Sequence, residues 1–155
     1  MPARRAFLNQ QLTQHTSHLA GRVAAYLPLP EEAHAWDFAR TAYLPVIQPD
    51  QSLRFCQYRA GDPLVPGQYS IPIPAEGELL SIDQMDWVLV PLTAIDGVGC
   101  RAGMGGGFYD RSLSAVVKAR RVGVAYDGQR VPRIAAQPWD VALGRLVTPA
   151  GWTRF

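Results

Sequence analysis

Short runs of apolar residues recur along the chain, separated by segments in which apolar residues follow a helical period. The run at residues 88–90 shows no alternation, which is typical of a strand that is covered on both faces. Runs at 23–27, 41–44, 122–126 and 144–148 predict further strands. Residues 53–58 alternate between apolar and polar, so an exposed or antiparallel strand is predicted there.

Helices are predicted at residues 3–20, 34–40 and 108–120. One face of the first helix collects Phe7, Leu8, Leu12, His15 and Leu19, and Gly21 is the predicted stop. Prolines are predicted to end three strands, because proline has no N–H for the ladder: Pro28, Pro45 and Pro91. Residues 60–78 are rich in Pro and Gly and predict an ordered excursion, with the apolar anchors Leu64, Val65, Tyr69 and Ile71. The alternation predicts one three-layer α/β/α domain over residues 1–155, with a mainly parallel sheet.

Composition narrows the class of protein. The chain has 155 residues, 48% of them hydrophobic and 18% charged, with a net charge of +2. Its cations are scattered, so neither a nucleic acid nor a membrane is predicted as a partner. Cys56 and Cys100 have no paired framework or metal spacing, which favours free thiols in a reducing compartment. We expect a cytoplasmic protein that is a monomer or a weak homodimer.

A glycine cluster follows the run at residues 88–90. Gly97 and Gly99 permit a tight reversal, and Gly103, Gly105, Gly106 and Gly107 then lead into the predicted helix at 108–120. Free N–H groups at a helix start attract phosphate or carboxylate. Asp96, Arg101, Asp110 and Arg111 flank the cluster, so a phosphate and metal site is predicted. Neither a Walker A loop nor a dinucleotide fingerprint fits this spacing.

The string RAGMGGGFYDR at residues 101–111 resembles the signature of the 5-formyltetrahydrofolate cyclo-ligase family, also called methenyltetrahydrofolate synthetases. The resemblance extends from about residue 23 to the end, through segments at 25–32, 43–45, 89–96, 125–129 and 138–149. It implies a domain of the NagB/RpiA/CoA-transferase-like kind. It also implies an enzyme that uses ATP and Mg²⁺ to phosphorylate the formyl oxygen of 5-formyltetrahydrofolate. Closure of the ring and loss of phosphate then give 5,10-methenyltetrahydrofolate.

Carried over by position, the family pattern assigns roles to individual residues. The catalytic residues would be Arg101 and Tyr109. ATP would contact Arg101, Gly103, Met104, Gly105, Gly106, Gly107, Phe108, Tyr109 and Asp110. The folate substrate would contact Leu27, Glu32, Met104, Gly105, Gly106, Gly107 and Phe108. The magnesium carboxylates would be Asp110 and Asp140, while Gln129 is family-typical with no assigned role.

Two alternatives stand beside this hypothesis. The family's basic N-terminal element is not matched here, which favours a catalytically degenerate paralogue that binds nucleotide or folate without turnover. The second alternative is a general phosphosugar- or CoA-binding domain of similar architecture, because one fold can carry several functions. The retained Asp110 and Asp140 favour catalysis, and the length of the resemblance disfavours the general binding domain.

Overall fold

The computed structural model describes residues 2–103 and 107–155. Two α-helices lie within these ranges, α1 (Pro2–His15) and α2 (Phe108–Leu113). The strands are β1 (Val23–Ala24), β2 (Ala42–Ile47), β3 (Leu53–Tyr58), β4 (Leu64–Pro66), β5 (Pro72–Pro74), β6 (Leu79–Ser81), β7 (Trp87–Pro91), β8 (Ala94–Ile95), β9 (Arg101–Ala102), β10 (Arg121–Val124), β11 (Arg145–Thr148) and β12 (Gly151–Arg154). Short 3-10 turns occur at Gln68–Ser70, Ile82–Gln84, Lys118–Arg120 and Asp127–Gln129.

One eight-stranded sheet organises the chain, in the order β12-β11-β10-β7-β1-β2-β3-β6. The five strands from β11 to β2 pair in parallel, and β12, β3 and β6 add antiparallel edges. β7 lies inside the parallel part, where Val88, Leu89 and Val90 are at most 1% exposed. The predicted α/β class with a mainly parallel sheet is therefore confirmed.

The two faces of the sheet carry separate hydrophobic cores. Leu12 of α1 packs in the core that contains Leu89. Leu113 of α2 packs in the core that contains Val88 and Val90. Successive side chains of a strand point to opposite faces, so the helices cover opposite faces of the sheet. This is the predicted three-layer arrangement, built with few helices.

The crossover from β7 through α2 to β10 brings two strand ends together. Val122 pairs with Leu89 in parallel register, and Val124 pairs with Pro91. β7 ends at Pro91 as predicted. The loops that follow β7 and β10 therefore meet at the carboxyl edge of the sheet, where ligands bind in open α/β sheets.

Pro45 does not end its strand, contrary to the prediction, because β2 continues to Ile47. Ala25 donates its N–H to the Tyr43 carbonyl at 2.9 Å, so Tyr43 directs its backbone groups towards β1. Residue 45, two positions on, faces the same way. β1 stops at Ala24, short of Pro28, so no strand on that side requires an N–H from Pro45.

The predicted helix at 34–40 is wrong. The backbone N–H of His34 is bound by the Asn9 side chain of α1 at 3.1 Å, and Asp37 closes a turn by accepting the N–H of Ala39 at 2.9 Å. Trp36 is buried at 3% exposure. Contacts with α1 and the core therefore take the place of helical hydrogen bonds in this segment.

The predicted helix at 108–120 is shorter than expected and ends at Leu113. The Ser112 hydroxyl accepts the N–H of Leu53 at 2.9 Å, which fastens this helix to β3. Val117 adopts a non-helical backbone, after which the chain enters the Lys118–Arg120 turn. α1 is likewise shorter than 3–20, and Gly21, at φ +86, belongs to the turn before β1 rather than to the helix end.

Other predictions are also corrected. Phe7 is exposed, although Leu12 and Leu19 are buried as expected. The segment at 60–78 contains the hairpin β4–β5. The four residues predicted to anchor it are exposed instead: Leu64, Val65, Tyr69 and Ile71. The final strand at 145–148 is confirmed, and β12, which was not predicted, pairs beside it.

Candidate active site

The hairpin β8–β9 is held by a buried carboxylate. Asp96 accepts the N–H groups of Val98 and Cys100 on Oδ1, both at 3.0 Å, and the N–H of Ile134 on Oδ2 at 3.1 Å. Burial pushes the pKa of Asp96 upwards, but these backbone donors outweigh burial and the pKa lies below its ordinary value. Asp96 therefore shapes the loop that delivers Arg101. Gly99, at φ +90, makes the reversal, whereas Gly97 has no positive φ.

Gln129 ties the ends of β7 and β10 together. Its Oε1 accepts the Tyr126 N–H at 2.7 Å, and its Nε2 donates to the carbonyls of Leu92 at 3.0 Å and Thr93 at 3.3 Å. The Thr93 hydroxyl in turn donates to the Ala102 carbonyl at 3.0 Å. Gln129 is thus a positioning residue for the hairpin that carries Arg101, a role that the sequence did not reveal.

Arg101, Tyr109 and Asp110 form one polar cluster. Arg101 Nη2 lies 3.8 Å from Asp110 Oδ1, and its guanidinium lies 5.7 Å from the centre of the Tyr109 ring. Within the described part of the chain, the buried Nε of Arg101 and the buried hydroxyl of Tyr109 have no hydrogen-bond partner. Buried polar atoms without partners are uncommon in native proteins and favour a missing ligand.

The Tyr109 hydroxyl is held neutral. Burial raises the pKa of Tyr109 well above its ordinary value, although the Arg101 cation acts in the opposite direction. Tyr109 therefore keeps its proton throughout the neutral pH range and can donate a hydrogen bond to a ligand.

The glycines nearest this cluster leave room for cations. A Cβ at Gly103 would meet Arg101 Nη1 at 2.5 Å, and a Cβ at Gly107 would meet Arg111 Nη1 at 3.3 Å. Gly107 adopts the left-handed conformation at φ 67 and precedes α2 as its N-cap. The other predicted contacts of this loop, Met104, Gly105 and Gly106, lie outside the described residues.

Glu32 lies near the buried Tyr26 and the half-buried Tyr109. The Tyr26 hydroxyl donates to the Ala33 carbonyl at 2.7 Å and so fixes the loop, and Glu32 Oε1 accepts the Leu29 N–H at 2.7 Å. Burial raises the pKa of Glu32, and the Glu31 charge acts in the same direction. The Glu32 charge also raises the pKa of Tyr26 and of Tyr109, which places all three groups in one electrostatic neighbourhood.

Asp110 and Asp140 lie on adjacent segments. Asp110 Oδ1 accepts the N–H of Val141, the residue after Asp140, at 3.2 Å. Asp140 Oδ2 accepts the Gln137 N–H at 2.8 Å. The other carboxylate oxygen of each residue has no hydrogen-bond partner within the described ranges. Mg²⁺ commonly takes one or two protein carboxylates and completes its shell with phosphate and water, so this pair fits the ion. No group of three or more acidic, His or Cys side chains suited to a metal occurs among the described residues.

An aromatic pair that the sequence did not predict lies beside α2. The ring of Tyr69, in the β4–β5 hairpin, is 5.7 Å from that of Phe108, centre to centre, and Tyr69 is 68% exposed. Because residues 69 and 108 are far apart in sequence, only the fold reveals the contact. Leu27, which was also predicted to contact the folate, follows β1 and is half-buried.

α1 contacts two loops near the site from the other face of the sheet. Asn9 Oδ1 accepts the hydroxyl of Tyr126 at 2.7 Å, and Arg5 donates to the Pro30 carbonyl. Arg5 therefore brings a cation to the loop that carries Glu32.

None of the described helices is long and apolar enough to cross a membrane.

Comparisons with known proteins identify the family. Residues 2–149 match the model of the 5-formyltetrahydrofolate cyclo-ligase family. The 5-formyltetrahydrofolate cyclo-ligase of Escherichia coli K12 is 36% identical over 129 residues, which are 79% of this chain and 70% of that protein. The Haemophilus influenzae enzyme of the same name is 33% identical over 152 residues, covering 86% and 81%. Nothing in these matches favours the non-catalytic alternative.

Solved structures give the same result. The 5,10-methenyltetrahydrofolate synthetase of Aquifex aeolicus superposes with a TM-score of 0.82 at 27% identity, covering 99% of this chain and 84% of that one. The corresponding Mycoplasma pneumoniae protein gives a TM-score of 0.74 at 24% identity, covering 96% and 89%, and supports the fold alone.

Proposed function

The chain belongs to the 5-formyltetrahydrofolate cyclo-ligase family, and we propose that it converts 5-formyltetrahydrofolate to 5,10-methenyltetrahydrofolate with ATP as phosphoryl donor. Membership makes it a ligase of folate one-carbon metabolism. ADP and phosphate are the proposed co-products. The observation that carries the proposal is the buried, unpartnered Arg101 Nε beside the unpartnered Tyr109 hydroxyl.

Arg101 is the proposed contact for the transferred phosphoryl group. Its distance of 3.8 Å to Asp110 is too long for a hydrogen bond, so its donors remain free for phosphate oxygens. Phosphoryl transfer depends mainly on positioning and on charge neutralisation. A guanidinium fork suits both tasks, since it binds two oxygens in a fixed geometry. Backbone N–H groups between Gly103 and Asp110 are proposed to hold the remaining phosphates.

Magnesium is proposed to bind at Asp110 and Asp140. When bound, the ion neutralises charge on phosphate oxygens. The residues themselves are held in place without it, because Asp110 is fixed by the Val141 N–H and Asp140 by the Gln137 N–H. The carboxylates therefore need little rearrangement to accept the ion.

The folate is proposed to lie between Glu32 and the aromatic pair. Tyr69 and Phe108 offer an exposed aromatic surface beside the phosphate loop, which suits the flat pterin ring. Glu32 supplies an acceptor for pterin N–H groups. The neutral Tyr109 hydroxyl donates to an oxygen of the phosphoryl group, which carries negative charge during its transfer and its departure as phosphate. Leu27 adds an apolar contact.

We further propose that residues 1–155 act as one domain, as a cytoplasmic monomer or weak homodimer. Cys56 and Cys100 are both free thiols, which suits a reducing compartment.

The decisive experiment mixes the protein with 5-formyltetrahydrofolate and Mg-ATP and follows the methenyl product by its near-ultraviolet absorbance. We expect product to form only when all three components are present. A clear thermal shift with either ligand but no product would contradict the catalytic proposal and support the binding-only paralogue.

A further inference from the structure

A second concave site lies at the opposite end of the sheet. Two adjoining hollows of about 480 and 250 Å³ share Ala119 and Arg145 in their walls. Trp87 begins β7 and Arg145 begins β11, so both belong to the amino edge of the parallel strands. β7 alone separates this edge from Pro91 by roughly 13 Å, at about 3.3 Å per residue. We call the joined hollows the amino-edge cleft.

The amino-edge cleft is strongly basic. Its walls contain four cationic side chains, those of Lys118, Arg120, Arg145 and Arg154. The one acidic side chain in its walls is that of Asp86, whose Oδ2 already accepts the Arg22 N–H at 2.7 Å. Considering residues 2–103 and 107–155, none of the four cations forms an ion pair. The excess of positive charge is therefore uncompensated within the described protein.

Arg145 lies between the two hollows and has an unpartnered donor. Its Nε is buried with no hydrogen-bond partner in the described residues, and its guanidinium lies 5.3 Å from the centre of the Trp87 ring. Burying a charged group's donor without a partner is costly. Arg145 lines both hollows, so an anion in the cleft would offer an acceptor to its guanidinium.

The walls of the cleft are built to stay in place. Arg121 donates to the carbonyls of Val116 at 3.0 Å and Ala142 at 2.9 Å, which joins the two segments that enclose the cleft. A Cβ at Gly144 would lie 1.9 Å from the Lys118 carbonyl oxygen, so glycine there permits the close approach of these backbones. The cations are thus presented on a fixed frame.

We propose that the amino-edge cleft binds a small phosphorylated anion, at a site separate from the one at the carboxyl edge. Arginine forks match phosphate geometry, and two of the three arginines are exposed and free to turn towards the ligand. Trp87 and the exposed Val117 give the cleft an apolar wall for the body of such a ligand. Its volume is that of a small-molecule site.

The test is a titration of ¹⁵N-labelled protein with pyrophosphate at 0.15 M salt, followed by amide chemical shifts. We expect saturable shifts at Gly21, Ala119 and Gly144, which line the cleft, in addition to any shifts at Gly107 beside the carboxyl-edge site. The double variant Arg120→Gln/Arg154→Gln should weaken binding at the cleft amides by about tenfold or more. Both side chains are exposed, so the fold is retained.

The matched control for the single variant Arg120→Gln is Arg54→Gln, which removes one charge from an equally exposed arginine on β3, five strands away from β11. It should leave the cleft affinity within twofold of the wild type. Shifts confined to Gly107, or shifts at the cleft amides that never saturate, would overturn the proposal. Equal weakening in Arg54→Gln would also overturn it, because that result indicates attraction by net charge alone. These amide readouts do not depend on turnover, so they test the cleft independently of the proposed reaction.

Discussion

Arg101 Nη2 and Asp110 Oδ1 face each other at 3.8 Å, within the range of an ion pair but beyond that of a hydrogen bond. The two side chains are only 8% and 19% exposed, so their charges are poorly screened by water. Each side chain also has a second contact: Arg101 lies over the Tyr109 ring, and Asp110 accepts the Val141 N–H. The pair is therefore close enough to hold both side chains in place and loose enough to admit a phosphate oxygen.

Gly103→Ala tests the position of Arg101 without changing any charge. The added Cβ would meet Arg101 Nη1 at 2.5 Å and displace the guanidinium. We expect kcat/KM for methenyl formation to fall about 100-fold, as when a preorganised transition-state donor is removed. The control is Gly97→Ala in the β8–β9 turn, where a Cβ meets nothing within 4 Å. Equal losses in the two variants would rule out displacement of Arg101 as the cause.

Tyr109→Phe separates function from stability. The wild-type hydroxyl is buried without a partner among the described residues, so its removal should leave the free energy of unfolding unchanged or raise it by about 1 kcal/mol. Turnover should fall about tenfold or more through loss of the donor. Tyr126→Phe removes a 2.7 Å hydrogen bond to Asn9, so its free energy of unfolding should instead fall by about 1 kcal/mol. Urea unfolding of both variants makes the comparison, and a Tyr109→Phe protein that is the less stable of the two would contradict the assignment.

Asp110→Asn removes the charge and keeps an oxygen that can accept the Val141 N–H. We expect turnover to fall by about 100-fold or more, with the free energy of unfolding within about 1 kcal/mol of the wild type. Assays across a Mg²⁺ series should show a loss that added Mg²⁺ does not restore. Asp83→Asn, at an exposed aspartate in another turn, is the control and should behave as wild type. Unfolding of Asp110→Asn with unchanged magnesium dependence would assign Asp110 to helix capping alone.

Glu32 predicts a pH-dependent difference in stability. Its pKa is raised by burial, so the folded state holds the proton more tightly than the unfolded state does. The resulting stabilisation is complete below the unfolded pKa of about 4.3 and is lost as pH rises through the folded pKa. Glu32→Gln should therefore melt at a higher temperature than wild type at pH 7.5, and the difference should vanish near pH 4. Its KM for the folate should rise about tenfold.

The control for that series is Glu78→Gln, at an exposed glutamate remote from the tyrosines. Its melting temperature should follow the wild type at both pH values. A Glu32→Gln protein that melts below wild type at pH 7.5 would mean that the carboxylate is stabilising, contrary to the direction of its pKa.

The parallel centre of the sheet could be predicted from the sequence because its signal is local. The unalternating run at Val88, Leu89 and Val90 reflects burial on both faces, and the structure buries all three. Strand ends were harder, since they depend on where a partner stops. Pro45 continues its strand only because β1 is too short to need an N–H there.

The candidate site also has a part that could be predicted from the sequence and a part that could not. Arg101, Tyr109 and Asp110 are close in sequence, so their proximity was predictable from the string that contains them. The contact of Tyr69 with Phe108 and the bonds from Gln129 to Leu92 and Thr93 join distant segments. Nothing local to residue 69 or 129 encodes them. The helix prediction at 34–40 was wrong for a related reason, because α1, a distant segment, supplies the hydrogen-bond partner of the His34 N–H.

The loop that carries Asp140 is fastened to the Arg101 side of the site near both of its ends. Val131 donates to the Ile95 carbonyl at 2.8 Å, Ile134 to Asp96 at 3.1 Å, Val141 to Asp110 at 3.2 Å and Leu143 to the Gly99 carbonyl at 2.9 Å. Between the second and third of these bonds, residues 135–139 are all exposed.

Changes of chain length are consequently tolerated unequally along this loop. An inserted residue between 135 and 137 can bulge into solvent while the four bonds and the turn that joins Gln137 to Asp140 are all kept. An inserted residue between 96 and 99 would shift the Gly99 carbonyl away from Leu143 and carry Arg101 out of register with Asp110. Homologous loops should therefore vary in length at the first position and keep a fixed length at the second.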